Sequence, residues 1–433
     1  MKSEAVYTKQ TQIAELARKL PGRRLVSLNH HLDLAWMEEA CRRTRKDGAP
    51  GVDGMTWEGY SRALPERLTD LLDRAKTGDT YRAPAVRRVH IPKGNGETRP
   101  LGIPTLEDKI LQRAVVMALE PIYEQEFLDC SYGFRPGRSP HQALQTIWSR
   151  IMATGGCWLI DADIAKFFDT LDKAVLREFL NQRVGDGVIR RLIGKWLSAG
   201  VLDRGVLSYP ETGTPQGGVI SPMLSNIYLH HVLDLWFEHT VKPLLRGRAW
   251  MVRFADDFVM GFEREDDAKR VYAVLFKRFA KHGLRIHPEK TRLVPFFPPE
   301  PNGGRRESFN FLGFTHSWGT SRKGRAFVRR QTMSKRLTRA LGGLRAFCRD
   351  VRALPLVSQW EGLRRKLQGH YAYYGITGNW RQLATFAHEA ERIWRYWLSR
   401  RSASRDMPWS RFHTVLARFP LPPPRIVHSV YAQ

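Results

Sequence analysis

Two acidic clusters hold the residues most able to do chemistry in this sequence. The first is Asp161-Ala162-Asp163, followed closely by Phe167-Phe168-Asp169; the second is Asp256-Asp257, preceded by Phe254-Ala255. Both sit in stretches that are otherwise apolar and β-prone, CWLIDADI and MVRFADDFVMGF. Neighbouring carboxylates at a strand tip repel each other, which costs free energy unless they share a cation. Carboxylates holding two Mg²⁺ ions about 3.5–4 Å apart are the usual apparatus for in-line nucleotidyl transfer. That arrangement activates an attacking hydroxyl and stabilises charge at phosphorus and on the departing diphosphate. An Asp-Asp pair at a hairpin apex is also an ordinary polar turn, so neither cluster is decisive alone.

The elements that must position these acids can be read from pattern. Residues 157–164 predict a strand, and Met251–Phe262 a strand, tight turn and strand with Asp256 and Asp257 at the apex. Short helices broken by the turn-rich DGAPGVDG fill the first 75 residues. Tyr81–Ile103 is β-prone, with Gly94-Asn95-Gly96 as a hairpin turn. Thr105, with Asp108 as a capping-box partner, starts a helix whose apolar stripe runs from Ile110 to Leu119. Ser139-Pro140 and Ser221-Pro222 start two more helices, and Gly155-Gly156 ends the former. A helix from 265 to 282 has acids in its first turn, bases in its last and Gly283 as its stop. This alternation predicts an α+β domain reaching about residue 318. Beyond Ser321 the pattern turns helical, with amphipathic stretches near 333–352, 357–374 and 380–400, then an extended proline-rich end.

Charge suggests the partner. The 433 residues carry 70 Lys plus Arg against 43 Asp plus Glu, a net charge of +27. With 42% hydrophobic residues the chain can bury a core, so it is no disordered polycation. Residues 321–433 hold 23 basic and 5 acidic side chains, a net +18, which favours contact with a phosphate backbone over a merely solvated helix face. Within them Arg336, Arg339, Arg364, Arg365, Lys366, Arg400 and Arg401 recur near helical spacing and are candidate nucleic-acid contacts. The interleaved tryptophans read as packing anchors. No apolar stretch approaches the ~18 residues of a membrane span, and no secretory h-region opens the sequence, so no membrane partner and a cytoplasmic setting are expected. Cys41, Cys130, Cys157 and Cys348 lack CxxC spacing, which argues against a zinc knuckle or a disulfide framework.

The order of motifs resembles the reverse transcriptases of the group II intron (maturase) lineage. The resemblance runs through GAPGVDGMTW, IPKGNGETRPLGIPTLEDKILQ, SYGFRPGRSPHQAL, DADIAKFFDTLD, GTPQGGVISPMLSNIYL, RFADDF, HPEKT and FNFLGF, and reaches GHYAYYGITGN. It implies a right-hand polymerase with a helical, strongly basic C-terminal region. By this resemblance 1–75 form an N-terminal extension, 76–320 fingers and palm, 321–400 a thumb, and 401–433 a basic tail with a possible small DNA-binding region. No endonuclease module is expected after the thumb.

The same resemblance implies roles for particular residues. Asp163, Asp256 and Asp257 would be catalytic and would hold two Mg²⁺ ions, helped by the Ile164 carbonyl. Phe168 would lie under the incoming sugar and exclude a 2′-hydroxyl; Phe167 beside it reads as core. Lys93 and Arg99 would close on the triphosphate, although a solvated hairpin would explain the same two charges. Gln216 would line the nucleotide pocket, with Gly217 and Gly218 admitting close backbone approach. Lys290 would protonate the departing diphosphate, and Leu312-Gly313 would form a primer grip. Phe254 replaces the family's usual Tyr, losing a hydroxyl but keeping the ring, and KGNG is more polar than the proline-containing form often seen.

The implied activity is RNA-directed DNA synthesis from an RNA template, a DNA or RNA primer and dNTPs, with binding of intron RNA to assist splicing and mobility. Related enzymes serve instead in CRISPR spacer acquisition, phage defence or DNA repair. A non-catalytic splicing chaperone would be expected to show eroded acids, and the matched acids are intact.

Overall fold

A computed structural model describes residues 2–77, 80–92, 98–213, 217–299, 307–321, 323–401 and 407–429. Helices and strands are mixed, and the chain divides into two compact units, residues 1–140 with 162–293, and 141–161 with 294–433. This division does not follow the sequence boundaries near 75, 320 and 400, because each unit is assembled from two separated stretches of chain.

In the first unit the helix Leu106–Tyr123 is the hub, with Ile110, Leu111, Ala114, Val115, Ala118 and Leu119 all inaccessible to solvent. Burying each larger aliphatic side chain contributes roughly 1.5–3 kcal/mol. Helices Lys2–Lys19 and Leu34–Arg43 pack on it, and Trp36 donates its indole N–H to the Ala114 carbonyl at 3.0 Å. A four-stranded sheet runs in the order Thr98–Ile103, Val86–Pro92, Val201–Asp203, Val206–Ser208. Its first two strands form the expected hairpin, with Ile91 opposite Arg99. Its Gly94-Asn95-Gly96 apex lies outside the described residues.

Thr105 caps the hub helix as expected, its hydroxyl accepting from the Asp108 N–H at 3.3 Å. The reciprocal half of the capping box is absent. The Asp108 side chain turns inward and accepts from the Tyr81 hydroxyl, which in turn accepts from the Trp196 indole at 2.8 Å. Burial outweighs these hydrogen bonds and pushes the Asp108 carboxyl up to about 7. The unfolded chain releases this proton near the ordinary carboxylate pKa, whereas the folded chain keeps it, so the contribution to stability shrinks as pH rises from about 4 to 7. Melting curves should therefore show stability falling over that window by up to ~4 kcal/mol on linkage arithmetic. Asp108→Asn should flatten that slope, and an unchanged slope would refute the assignment.

Helix Ser221–Leu229 begins at its Ser-Pro pair but does not stop where an α-helix would. It widens into π-helical turns at His230–Asp234 and Trp236–Val241. Strands Ala249–Phe254 and Asp257–Phe262 pair antiparallel, with Phe254 opposite Asp257, and helix Glu265–Lys281 follows.

The second unit contains helix Pro140–Thr154, closed by Gly155 and Gly156 at positive φ, and a three-stranded sheet of Ala326–Thr332, Phe314–Thr320 and Ser308–Phe311. The strand Ala326–Thr332 corrects the expectation of helix beyond Ser321. Val328, Arg330 and Thr332 alternate as buried positions, a period of two that Arg329 and Arg330 disguise as a basic run. The three expected helices are Ser334–Asp350, Leu356–Tyr374 and Trp380–Leu398. A fourth helix, Trp409–Arg418, is not among the expected stretches and directly precedes the proline-rich end, and its fully buried Phe412 meets Trp394 edge-on at 5.7 Å. Trp394 is core, as the packing reading expects, whereas Trp380 is 54% exposed. Among the described residues no helix is long and apolar enough to cross a membrane.

Candidate active site

Asp163 directly follows the strand Cys157–Ala162 and is fixed by the segment 285–291. The Ala165 N–H donates to the Arg285 carbonyl and the His287 N–H to the Asp163 carbonyl, each at 2.8 Å. The Asp163 N–H donates to the Thr291 hydroxyl at 3.3 Å, and the Lys290 ammonium stands 2.9 Å from the Asp163 carboxylate. Ile164 thus pairs with Ile286 as a non-hydrogen-bonded antiparallel pair. In such a pair the residue's own N–H and C=O point away from the partner strand. The Ile164 carbonyl is therefore not consumed by residues 285–287.

Asp256 occupies the two-residue turn between the paired strands, after Ala255 at φ 57°. Burial raises its carboxyl above the ordinary carboxylate range; Arg99 lowers it and the nearby Asp163 raises it further. Residues 93 positions apart in sequence therefore meet in one electrostatic site, with Arg99 close enough to act on it. Asp257, expected at the apex with Asp256, is instead the first residue of the outgoing strand, opposite Phe254, because the turn is Ala255-Asp256, and it is exposed.

The turn is held from beneath by residues with no obvious mark in the sequence. Arg253 is fully buried and donates to Asp234 at 2.8 Å, Asn226 at 3.0 Å, the Ser131 hydroxyl at 2.8 Å and the Ala255 carbonyl at 3.0 Å. Asp234 lies in the π-helical stretch. Asn226 also donates to the Gly133 carbonyl at 2.7 Å. Gly133 presses on the turn so closely that a Cβ there would fall 2.3 Å from the Ala255 nitrogen. The only sequence signal for this network is an Arg amid apolar strand residues, which is easily taken for a surface charge.

Phe167 is core, 2% exposed, and meets Phe168 edge-on at 5.3 Å. Phe168 lines a cavity of about 380 Å³ with Arg88, Lys166, Asp169 and Gly213. Lys166 adopts φ 48°, a strained value for a non-glycine residue. Gly217, at φ 106°, abuts the Gly102 carbonyl, where a Cβ would come to 2.5 Å. Lys93 and Gln216 lie outside the described residues. Leu312 and Gly313, in the second unit, form a turn with φ 47° and 81°, and Tyr373 donates its hydroxyl to the Leu312 carbonyl at 2.9 Å. Arg336, Arg339, Arg364, Arg365, Lys366, Arg400 and Arg401 are all exposed there. The Arg400 guanidinium sits 3.6 Å over Tyr396 and Arg364 5.4 Å over Trp360.

Among the described residues no three His, Cys, Asp or Glu side chains gather closely enough to form a metal cage. The expected Asp163, Asp256 and Asp257 set does not form one. What fits a hard cation is the donor type, carboxylates and a backbone carbonyl, which is the oxygen chemistry Mg²⁺ takes while retaining water and substrate ligands.

Residues 91–316 match the family of reverse transcriptases, RNA-dependent DNA polymerases. The chain is 37% identical over 317 residues to protein YkfC of Escherichia coli, covering 64% of this chain and 79% of that protein. It is 42% identical over 183 residues to the group II intron-encoded protein LtrA of Lactococcus lactis, covering 42% of this chain and 30% of LtrA. It is also 42% identical over 193 residues to an uncharacterized 91 kDa protein in the cob intron of Schizosaccharomyces pombe, covering 43% of this chain and 23% of that protein. The chain belongs to the reverse transcriptase family, and its relatives include group II intron-encoded proteins.

Proposed function

We propose that this protein copies an RNA template into DNA from a DNA or RNA primer, using dNTPs and Mg²⁺, and that it also binds an intron RNA to assist splicing and mobility in a bacterial cytoplasm. The observation that carries the catalytic reading is the convergence of Asp163 and Asp256, against electrostatic cost, beside Arg99 and Lys290. In this reading the first unit supplies fingers and palm, and the exposed cations of residues 334–401 supply a thumb and its phosphate contacts. LtrA is named as an intron-encoded protein, which supports the splicing role.

Asp163, Asp256 and the Ile164 carbonyl would hold the cations, with Asp257 adding negative charge beside the turn. Two bound Mg²⁺ ions would supply Lewis-acid stabilisation of the attacking and leaving oxygens. The residues do the rest. Arg99 with Lys93 neutralises and orients the triphosphate. Gln216 lines the base pocket, Gly217 brings the backbone close, and Lys290 releases Asp163 to donate a proton to the departing diphosphate. Leu312-Gly313 holds the primer end.

Phe168 would set sugar choice by filling the space beneath the 2′-carbon. Phe168→Ala should raise ribonucleotide over deoxynucleotide incorporation on the order of 10- to 100-fold, the range a single pocket contact commands. Primer extension with matched NTP and dNTP mixtures tests both readings. Wild-type extension by dNTPs alone supports the polymerase; an unchanged ratio in Phe168→Ala removes Phe168 from the sugar site.

A further inference from the structure

In the SYGFRPGRS segment Ser131 and Gly133 support the Asp256 turn, and the residue that follows them is unusual. Phe134 has φ 58°, in the left-handed region where a bulky side chain is a true outlier, and it is 57% exposed. An aromatic ring gains nothing from water, and strained conformations persist only where the surroundings over-determine them. Here both flanks are clamped. Gly133 is held by Asn226 and wedged against the Ala255 nitrogen. Arg135, only 8% exposed, bonds Glu124 at 2.9 Å and the carbonyls of Leu128 and Ser131 at 2.8 and 2.9 Å. The result is a phenyl ring held out beside the turn that carries Asp256, its centroid 6.4 Å from that of Phe254.

We infer that Phe134 is a stacking platform for the nucleoside at the primer 3′ end. This rests on the polymerase reading, since the nucleic acid that must approach the Asp256 turn is the strand bearing the attacking hydroxyl. A phenyl ring suits this ligand because every base has a π-face, so contact is tight without reading sequence. The clamp fixes the ring before the substrate arrives, which spares ordering entropy on binding.

The test uses the full chain, an RNA template and a DNA primer carrying 2-aminopurine at its 3′ terminus. Wild type should quench that fluorophore on binding, as should Phe134→Tyr, while Phe134→Leu and Phe134→Gly should not. The last two should raise the KM for primer–template 5- to 100-fold, as loss of one base stack does, with kcat little changed. Phe134→Gly should also melt at or above the wild-type temperature, because glycine adopts positive φ without strain. A purely structural Phe134 predicts the opposite, a lower melting temperature and retained quenching in every variant that folds. Quenching only when the probe is moved to the template base would also overturn the inference. A wild type that binds the hybrid with quenching but cannot extend it would sink the polymerase reading and leave the platform standing.

Discussion

Asp256→Asn should abolish primer extension, by at least a thousandfold, while making the metal-free protein more resistant to heat. Both halves follow from one arrangement. The Asp256 carboxyl is partly withdrawn from water and faces Asp163, and both conditions oppose its charge. A backbone hydrogen bond, Arg99 and Arg253 act to offset them. Replacing the carboxylate with a neutral amide removes that penalty, so the melting temperature should rise, as is common where a functional site stores instability. The amide also loses the anionic oxygens on which cation binding depends. A second readout separates the two effects without any turnover. Mg²⁺ should raise the melting temperature of the wild type, because a ligand that binds only the folded state stabilises it, and should leave Asp256→Asn unmoved. Asp163→Asn should behave similarly in catalysis but gain less stability, since Lys290 already partners that carboxylate at 2.9 Å. Extension at wild-type rate in either variant would refute the assignment.

Arg253→Met should cost about 3–5 kcal/mol of stability, the range for stranding one member of a buried ion pair. Its partner Asp234 is entirely inaccessible and would be left charged without a counter-ion. The loss should appear as a lower urea midpoint for the first unit. Asp234→Leu combined with Arg253→Met should recover much of it, because removing both charges leaves neither uncompensated. Activity should separate from stability in that double variant. The Arg253 guanidinium also bonds the Ala255 carbonyl, so the turn that aims Asp256 loses its support from below. Extension should stay impaired while the fold recovers. If the double variant regains full activity, Arg253 is a packing residue and the turn is held by Gly133 and its neighbours alone.

The parts of this protein that depend on local chemistry were legible in the sequence. Thr105 caps its helix, Gly155 and Gly156 end theirs, and the Met251–Phe262 segment turns as expected but one residue earlier, at Ala255-Asp256. Helices at 334–350, 356–374 and 380–398 follow from a 3.6-residue apolar stripe. The strand at 326–332 was hidden because two adjacent arginines, one buried and one outward, resemble a charge run. The helix Trp409–Arg418 was hidden between prolines, and Phe412 on Trp394 anchors it, with Val415 and Leu416 against the same core.

Sequence alone determined which positions carry carboxylates, cationic groups and aromatic rings, because those properties belong to side chains. Tertiary structure decided which of them meet. Only folding brings Asp163 to Asp256, sets Lys290 on Asp163, and routes Asp234 from a widened helix to a buried arginine under the turn. It also turned Asp108 away from its capping role into the core and held Phe134 out beside the Asp256 turn. The physical reason is common to all of these. Local propensity is settled within a few residues, whereas desolvation, charge pairing and backbone strain depend on neighbours that sequence distance does not reveal.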